Sequence, residues 1–98
     1  MPEFKNDAYG VQFTLPDHPT VYQVLSYDSA RIDNVRLPAF LLLWEMAKTV
    51  IEKWDCPAWP NLQADLRKAD DLSVVRLVEW VGTTVSNWRR ELDSVPKN

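Results

Sequence analysis

Apolar and polar positions alternate at one place along this chain, where Val11, Phe13 and Leu15 are separated by Gln12 and Thr14. A repeat of two sends successive side chains to opposite faces, so the spacing predicts a short strand or extended arm over 11–15, ended by Pro16. No second stretch alternates in this way. A lone strand leaves its backbone N–H and C=O groups unpaired. It must lie on helices or pair with another chain, which makes Val11, Phe13 and Leu15 candidates for self-association.

Elsewhere the period is helical. Thr20 and Gln23 stand at capping-box spacing, where the threonine hydroxyl and the glutamine amide each satisfy one free N–H of the first turn. Val21, Val24 and Leu25 follow at helical spacing, with Tyr22 and Tyr27 beside them, and predict a helix over 21–30. The run "SARIDNVR" reads either as a loop or as a frayed continuation. Pro38 suits the first turn of a second helix. Phe40, Leu43, Trp44, Ala47, Ile51 and Trp54 share one face of it, and Pro57 and Pro60 in "DCPAWP" stop it. "NLQADLRKA" offers one or two helical turns, with Asn61 as a cap. Asp70 or Asp71 can cap a last helix whose stripe is Val74, Val78, Val81, Val85, Trp88 and Leu92. Gly82 inside that stripe costs about 1 kcal/mol relative to alanine and points to close helix contact. Pro96 closes off the helix.

The expected fold is mainly α: a small helical domain with two long amphipathic helices, one or two short helices and an N-terminal extended arm or short strand. Its expected limits are a flexible segment at 1–10, a single helical domain over 11–94 and a tail at 95–98. Ninety-eight residues suit one domain, because a chain of this size buries only about 60–65% of its unfolded surface.

Charge and chemistry narrow the function. The net charge of −3, from 11 basic and 14 acidic residues, argues against a nucleic-acid partner, whose phosphates demand a basic face. The longest apolar run, "PAFLLLW", is far short of a membrane span, and "MPEFKNDAYG" has no apolar signal core. The single cysteine cannot form an internal disulfide, so a reducing cytoplasmic compartment is expected. His18, the only histidine, stands between Asp17 and Pro19. A carboxylate beside an imidazole can make a general base, but no nucleophile accompanies it, and the pair reads as turn residues before a helix. Cys56 has Asp55 beside it, the wrong charge for an activated thiol, and reads as a buried structural residue. Asp70 and Asp71 suit a helix start. One histidine and one cysteine far apart make a poor metal set. With only Gly10 and Gly82 there is no phosphate loop. Neither enzymatic activity nor a cofactor is expected.

The informative excess is apolar. Leu42 and Met46 lie four residues apart, off the stripe of the second helix, and Trp80 points about 120° off the stripe of the last one at ~100° per residue. Trp59 sits on the proline-rich break. Two readings stand. These residues contact the short helices and the arm, or they form a partner-binding surface, for which methionine and tryptophan supply adaptable apolar contact.

The runs "VQFTLPDHPTVYQVLSY", "LWEMAKTVIEKWDCPAWPNLQADL" and "VVRLVEWVGTTVSNWRRELDSVPKN" together resemble the small tail-assembly chaperones of long-tailed phages. The likeness spans residue 11 onward as an overall pattern without a catalytic signature. It implies a mostly helical protein of the infected host's cytoplasm, self-associating and usually absent from the finished virion. Such proteins bind the aggregation-prone tape-measure protein and keep it soluble. The resemblance also implies a longer form made by ribosomal frameshifting, for which codons such as CCA-AAA-AAC at Pro96-Lys97-Asn98 would supply a slippery run. The alternatives are a structural or connector protein of the virion, using the arm at 11–15 for subunit contact, and a small protein-binding regulator.

Overall fold

The computed structural model describes residues 2–93. The expected tail at 95–98 lies outside the described residues. The first strand, β1 (Glu3–Asn6), comes from the segment for which the sequence predicts no element. It forms an antiparallel hairpin with β2 (Val11–Thr14), with Phe4 opposite Phe13 and Asn6 opposite Val11. In the turn between them the Tyr9 N–H donates to the Asn6 carbonyl and the Gly10 N–H to the Asp7 carbonyl, both at 3.3 Å. Gly10 takes φ +63° there, in the left-handed region that glycine enters without a Cβ penalty.

A third strand, β3 (Lys53–Asp55), pairs antiparallel with the other edge of β2, with Trp54 opposite Phe13. The sheet order is β1-β2-β3, so β2 is central and paired along both edges. Two further bonds of 3.0 Å prolong the pairing, from Leu15 N–H to the Pro2 carbonyl and from Glu52 N–H to the Thr14 carbonyl. Val11, Phe13 and Leu15 are 1%, 1% and 0% exposed. The backbone pairing, which the sequence left to contact with helices or with another chain, is therefore made within this chain by two further strands, and the three side chains are core rather than a self-association arm.

Three α-helices complete the described residues. The first, α1 (Val21–Asp33), starts in the expected capping box. The Gln23 N–H donates to the Thr20 hydroxyl at 3.1 Å, and the Thr20 N–H donates to the Gln23 side-chain carbonyl at 2.8 Å. The helix continues through "SARID" and is closed by Asn34, whose N–H and side-chain amide both donate to the Ala30 carbonyl. The second, α2 (Ala39–Lys48), starts after Pro38. It stops well before the prolines, where the Thr49 hydroxyl and N–H both donate to the Met46 carbonyl, at 2.7 and 3.2 Å. The third, α3 (Ser73–Asp93), is preceded by Asp71, whose carboxylate accepts from the Ser73 N–H at 2.9 Å. A short 3-10 turn at Leu66–Lys68 precedes it.

The fold is thus mixed α/β, a correction to the mainly α expectation. One long helix is present instead of two, because Trp54 leaves the helical stripe and joins a strand. The core lies between the inner face of the sheet and the α2–α3 pair. Phe4, Phe13 and Trp54 lie side by side on the sheet, with ring centroids 5.5 and 6.1 Å apart. Trp80 meets Phe13 edge-on at 5.9 Å, and Trp44 meets Trp54 edge-on at 5.7 Å. On α3 the expected stripe is buried from Val74 to Trp88, Leu77 joins it, and Leu92 is half-buried.

At Gly82 α3 approaches α2 closely, as its place in the stripe suggests. A Cβ built there would stand 2.9 Å from Leu43 Cβ. Leu43 Cβ is fixed to its backbone, so the helices themselves would have to part. Gly82→Ala gains helix propensity of about 1 kcal/mol but overpacks the crossing, at a typical cost of about 1–3 kcal/mol. The expected outcome is a net loss of stability, seen as a lower urea midpoint with an unchanged denaturant slope. Thr83→Ala, one position on and exposed, should stay within about 0.5 kcal/mol of the parent.

Candidate protein-interaction surface

The four residues singled out for partner binding do not form one open face. Met46 is 1% exposed and belongs to the core. Leu42, Trp59 and Trp80 are half-buried and packed against it. Trp80 covers Phe13, and the Trp59 backbone carbonyl accepts from the Trp54 indole N–H at 2.7 Å. They look like spare apolar surface only in a fold without a sheet. Trp80→Asp would place a carboxylate against the Phe13 ring.

Asp17 and His18 are exposed in the turn before α1, and Cys56 is a buried core thiol. Among the described residues, no three His, Cys, Asp or Glu side chains come together as a metal set. None of the described helices is long and apolar enough to cross a membrane.

The exposed apolar surface lies on α1 instead. At ~100° per residue, Val21, Leu25 and Ile32 fall within an arc of about 40°, and they are 76%, 56% and 76% exposed. Tyr22 flanks them, equally open. Tyr27 and Ala30, on the opposite side of the helix, are the residues that face the core. Tyr27 meets Trp88 edge-on at 6.5 Å, and burial pushes its phenol above the ordinary value despite a bond to Ser86. Beside this contact Arg89 grips Asp28, with Nε to Oδ1 at 3.1 Å and Nη2 to Oδ2 at 3.0 Å, and so ties α1 to α3. Helical spacing groups Val21 with Val24 and Leu25, but Val21 and Leu25 are open to solvent. Both sides of α1 carry apolar residues, and helical period alone does not say which side meets the core.

A second apolar feature is a groove of about 260 Å³ where α2, the 3-10 turn and the start of α3 meet. Phe40, Leu41, Leu66, Leu72, Val75 and Val78 line it, and Leu72, at 83% exposed, stands open to solvent at α3's start. Arg67 also borders it, held by Asp65 through Nε to Oδ1 at 3.0 Å and Nη2 to Oδ2 at 2.9 Å. Hydrogen bonds from the Arg67 side chain and backbone N–H lower the Asp65 carboxyl from 3.8 to about 2. Sequence reasoning missed this groove, although its parts were visible: the "LPAFLLLW" run and an apolar Leu72 just before the predicted helix. Family models, curated proteins and solved structures contain no match to this chain.

The Asp65–Arg67 pair gives a pH prediction. A depressed carboxyl favours the ionised folded form, so its contribution is complete above about pH 4 and fades as the pH falls toward 2. Carbon-detected NMR of the Asp65 carboxyl should show a midpoint near 2. In Arg67→Gln the midpoint should rise toward the ordinary value of 3.8.

Proposed function

We propose that this chain is a non-catalytic tail-assembly chaperone that holds apolar helical segments of a phage tape-measure protein in solution. The observation that carries the reading is the open groove between α2 and α3, lined mainly by apolar side chains, on a chain with little core to spare. A concave apolar site with a charged pair on its rim suits a helix that inserts one or two large side chains and leaves its polar face in water. The resemblance of the three sequence runs to the chaperone family supplies the identity of the client. In this reading the protein works in the host cytoplasm and stays out of the finished particle. Binding alone performs the function, since shielding apolar client surface prevents its aggregation, and several weak sites along one long client add through multivalency.

Co-expression with a phage tape-measure protein, scored by pull-down of soluble complex, tests this. The parent should bring the long protein into the soluble fraction. Leu72→Asp combined with Val75→Asp places two carboxylates at the groove and should cut recovery about tenfold, the equivalent of ~1.4 kcal/mol. Its circular dichroism melt should match the parent, because both positions are exposed. Undiminished recovery with the folded double variant would discard the groove. Finding the chain in purified particles would favour a structural role.

A further inference from the structure

We propose that α1 is a self-pairing helix, and that two copies of this chain associate antiparallel through its outer face. The argument starts from spacing. Val21, Leu25, Asp28 and Ile32 are separated by four, three and four residues, the a/d alternation of a coiled-coil seam rather than the wider stripe of a core-facing helix. The three apolar members of that seam are exposed, while the side that meets the core carries Tyr27 and Ala30.

The seam complements itself when one copy is reversed. Setting Val21 against Ile32 of the second copy places Leu25 against Asp28, and the same two contacts recur beyond the two-fold axis. Each layer then joins an a position to a d position, as antiparallel pairing requires, and the interface is isologous. The parallel arrangement would set Asp28 directly on Asp28. The acid is tolerable in the antiparallel register because Arg89 holds it from the side at 3.0–3.1 Å and is itself held by Asp93 at 3.1 Å. Its charge is drawn toward α3 and away from the neighbouring leucine.

The area is adequate. Val21, Tyr22, Leu25 and Ile32, with Val35 just past the helix, offer on the order of 600 Å², and a polar rim brings this near the ~800 Å² per partner of a standard interface. The Cα extents of 48 × 31 × 17 Å describe a slab whose exposed helix face is not covered from within. Pairing does not depend on the identity of any client. A chain that dimerises but fails to solubilise the long protein leaves this inference standing and removes the function proposed above.

Sedimentation equilibrium of the full chain at about 100 μM should give the mass of two chains, and Leu25→Glu or Ile32→Glu should return it to one. Both variants should keep the parent's melting curve. Cysteine pairs then read the register. Val21→Cys with Ile32→Cys should cross-link to a covalent dimer under mild oxidation. Val21→Cys alone should not, because its two copies would lie about 16 Å apart along the axis and a disulfide needs Cα atoms within ~7 Å. A parent of one-chain mass would overturn the proposal. So would a dimer that survives both glutamate variants, or efficient linking of Val21→Cys alone. A chain that stays monomeric by itself, with α1 shielded only in the presence of client, would assign the seam to the client instead.

Discussion

The structure depends on Phe13. Its ring lies against Phe4 on one neighbouring strand and Trp54 on the other, and Trp80 of α3 closes on it edge-first. Trp54 passes the contact on to Trp44 of α2. Four aromatic pairs thus join β1, β2, β3, α2 and α3. Strands of four, four and three residues would be marginal by themselves, since a small sheet persists only with a buried apolar face or a helix packed on it. Each well-placed aromatic pair adds about 0.5–1.5 kcal/mol beyond its buried area. The sheet therefore exists because one central position carries a ring that three others can reach.

The same fact explains what could be read from the chain. The capping box at Thr20, the stripe of α3, the tight crossing at Gly82 and the extended character of 11–15 are local signals, and each has a mechanism within a few residues. The outer strands have no such signal. In β1 only Phe4 and Asn6 turn inward, and in β3 only Trp54 does, too few positions to establish a period of two. Trp54 also falls in helical phase with Phe40 and Trp44, so the stripe seemed to run on. The counter-signal was Thr49-Val50-Ile51, three β-branched residues that resist helix, at the place where Thr49 turns back to the Met46 carbonyl.

That error in the fold carried over to the site. Leu42, Met46 and Trp80 were spare only because nothing in a helical bundle covered them. With a sheet present, Met46 is sealed in and Trp80 becomes the lid on Phe13. The converse holds for α1, where Val21 and Leu25 follow the cap at helical spacing yet stay open to solvent. Val24, Tyr27 and Ala30 form an equally apolar set on the other side, and the decision between the sides belongs to Trp88 and Arg89, some sixty residues away. Long-range partners of this kind leave no trace in a local pattern.

Asp28 links the fold to the face that remains open. It secures α1 to α3 through Arg89 and occupies a seam position where leucine would bind more tightly. A charge at such a position lowers the strength of any helix pairing while restricting its register, because the acid must find a neighbour that does not repel it. Covering the seam also removes water from the ion pair. This strengthens the attraction and raises the desolvation cost together, so the net gain is small. A seam built in this way favours pairing that is specific but reversible.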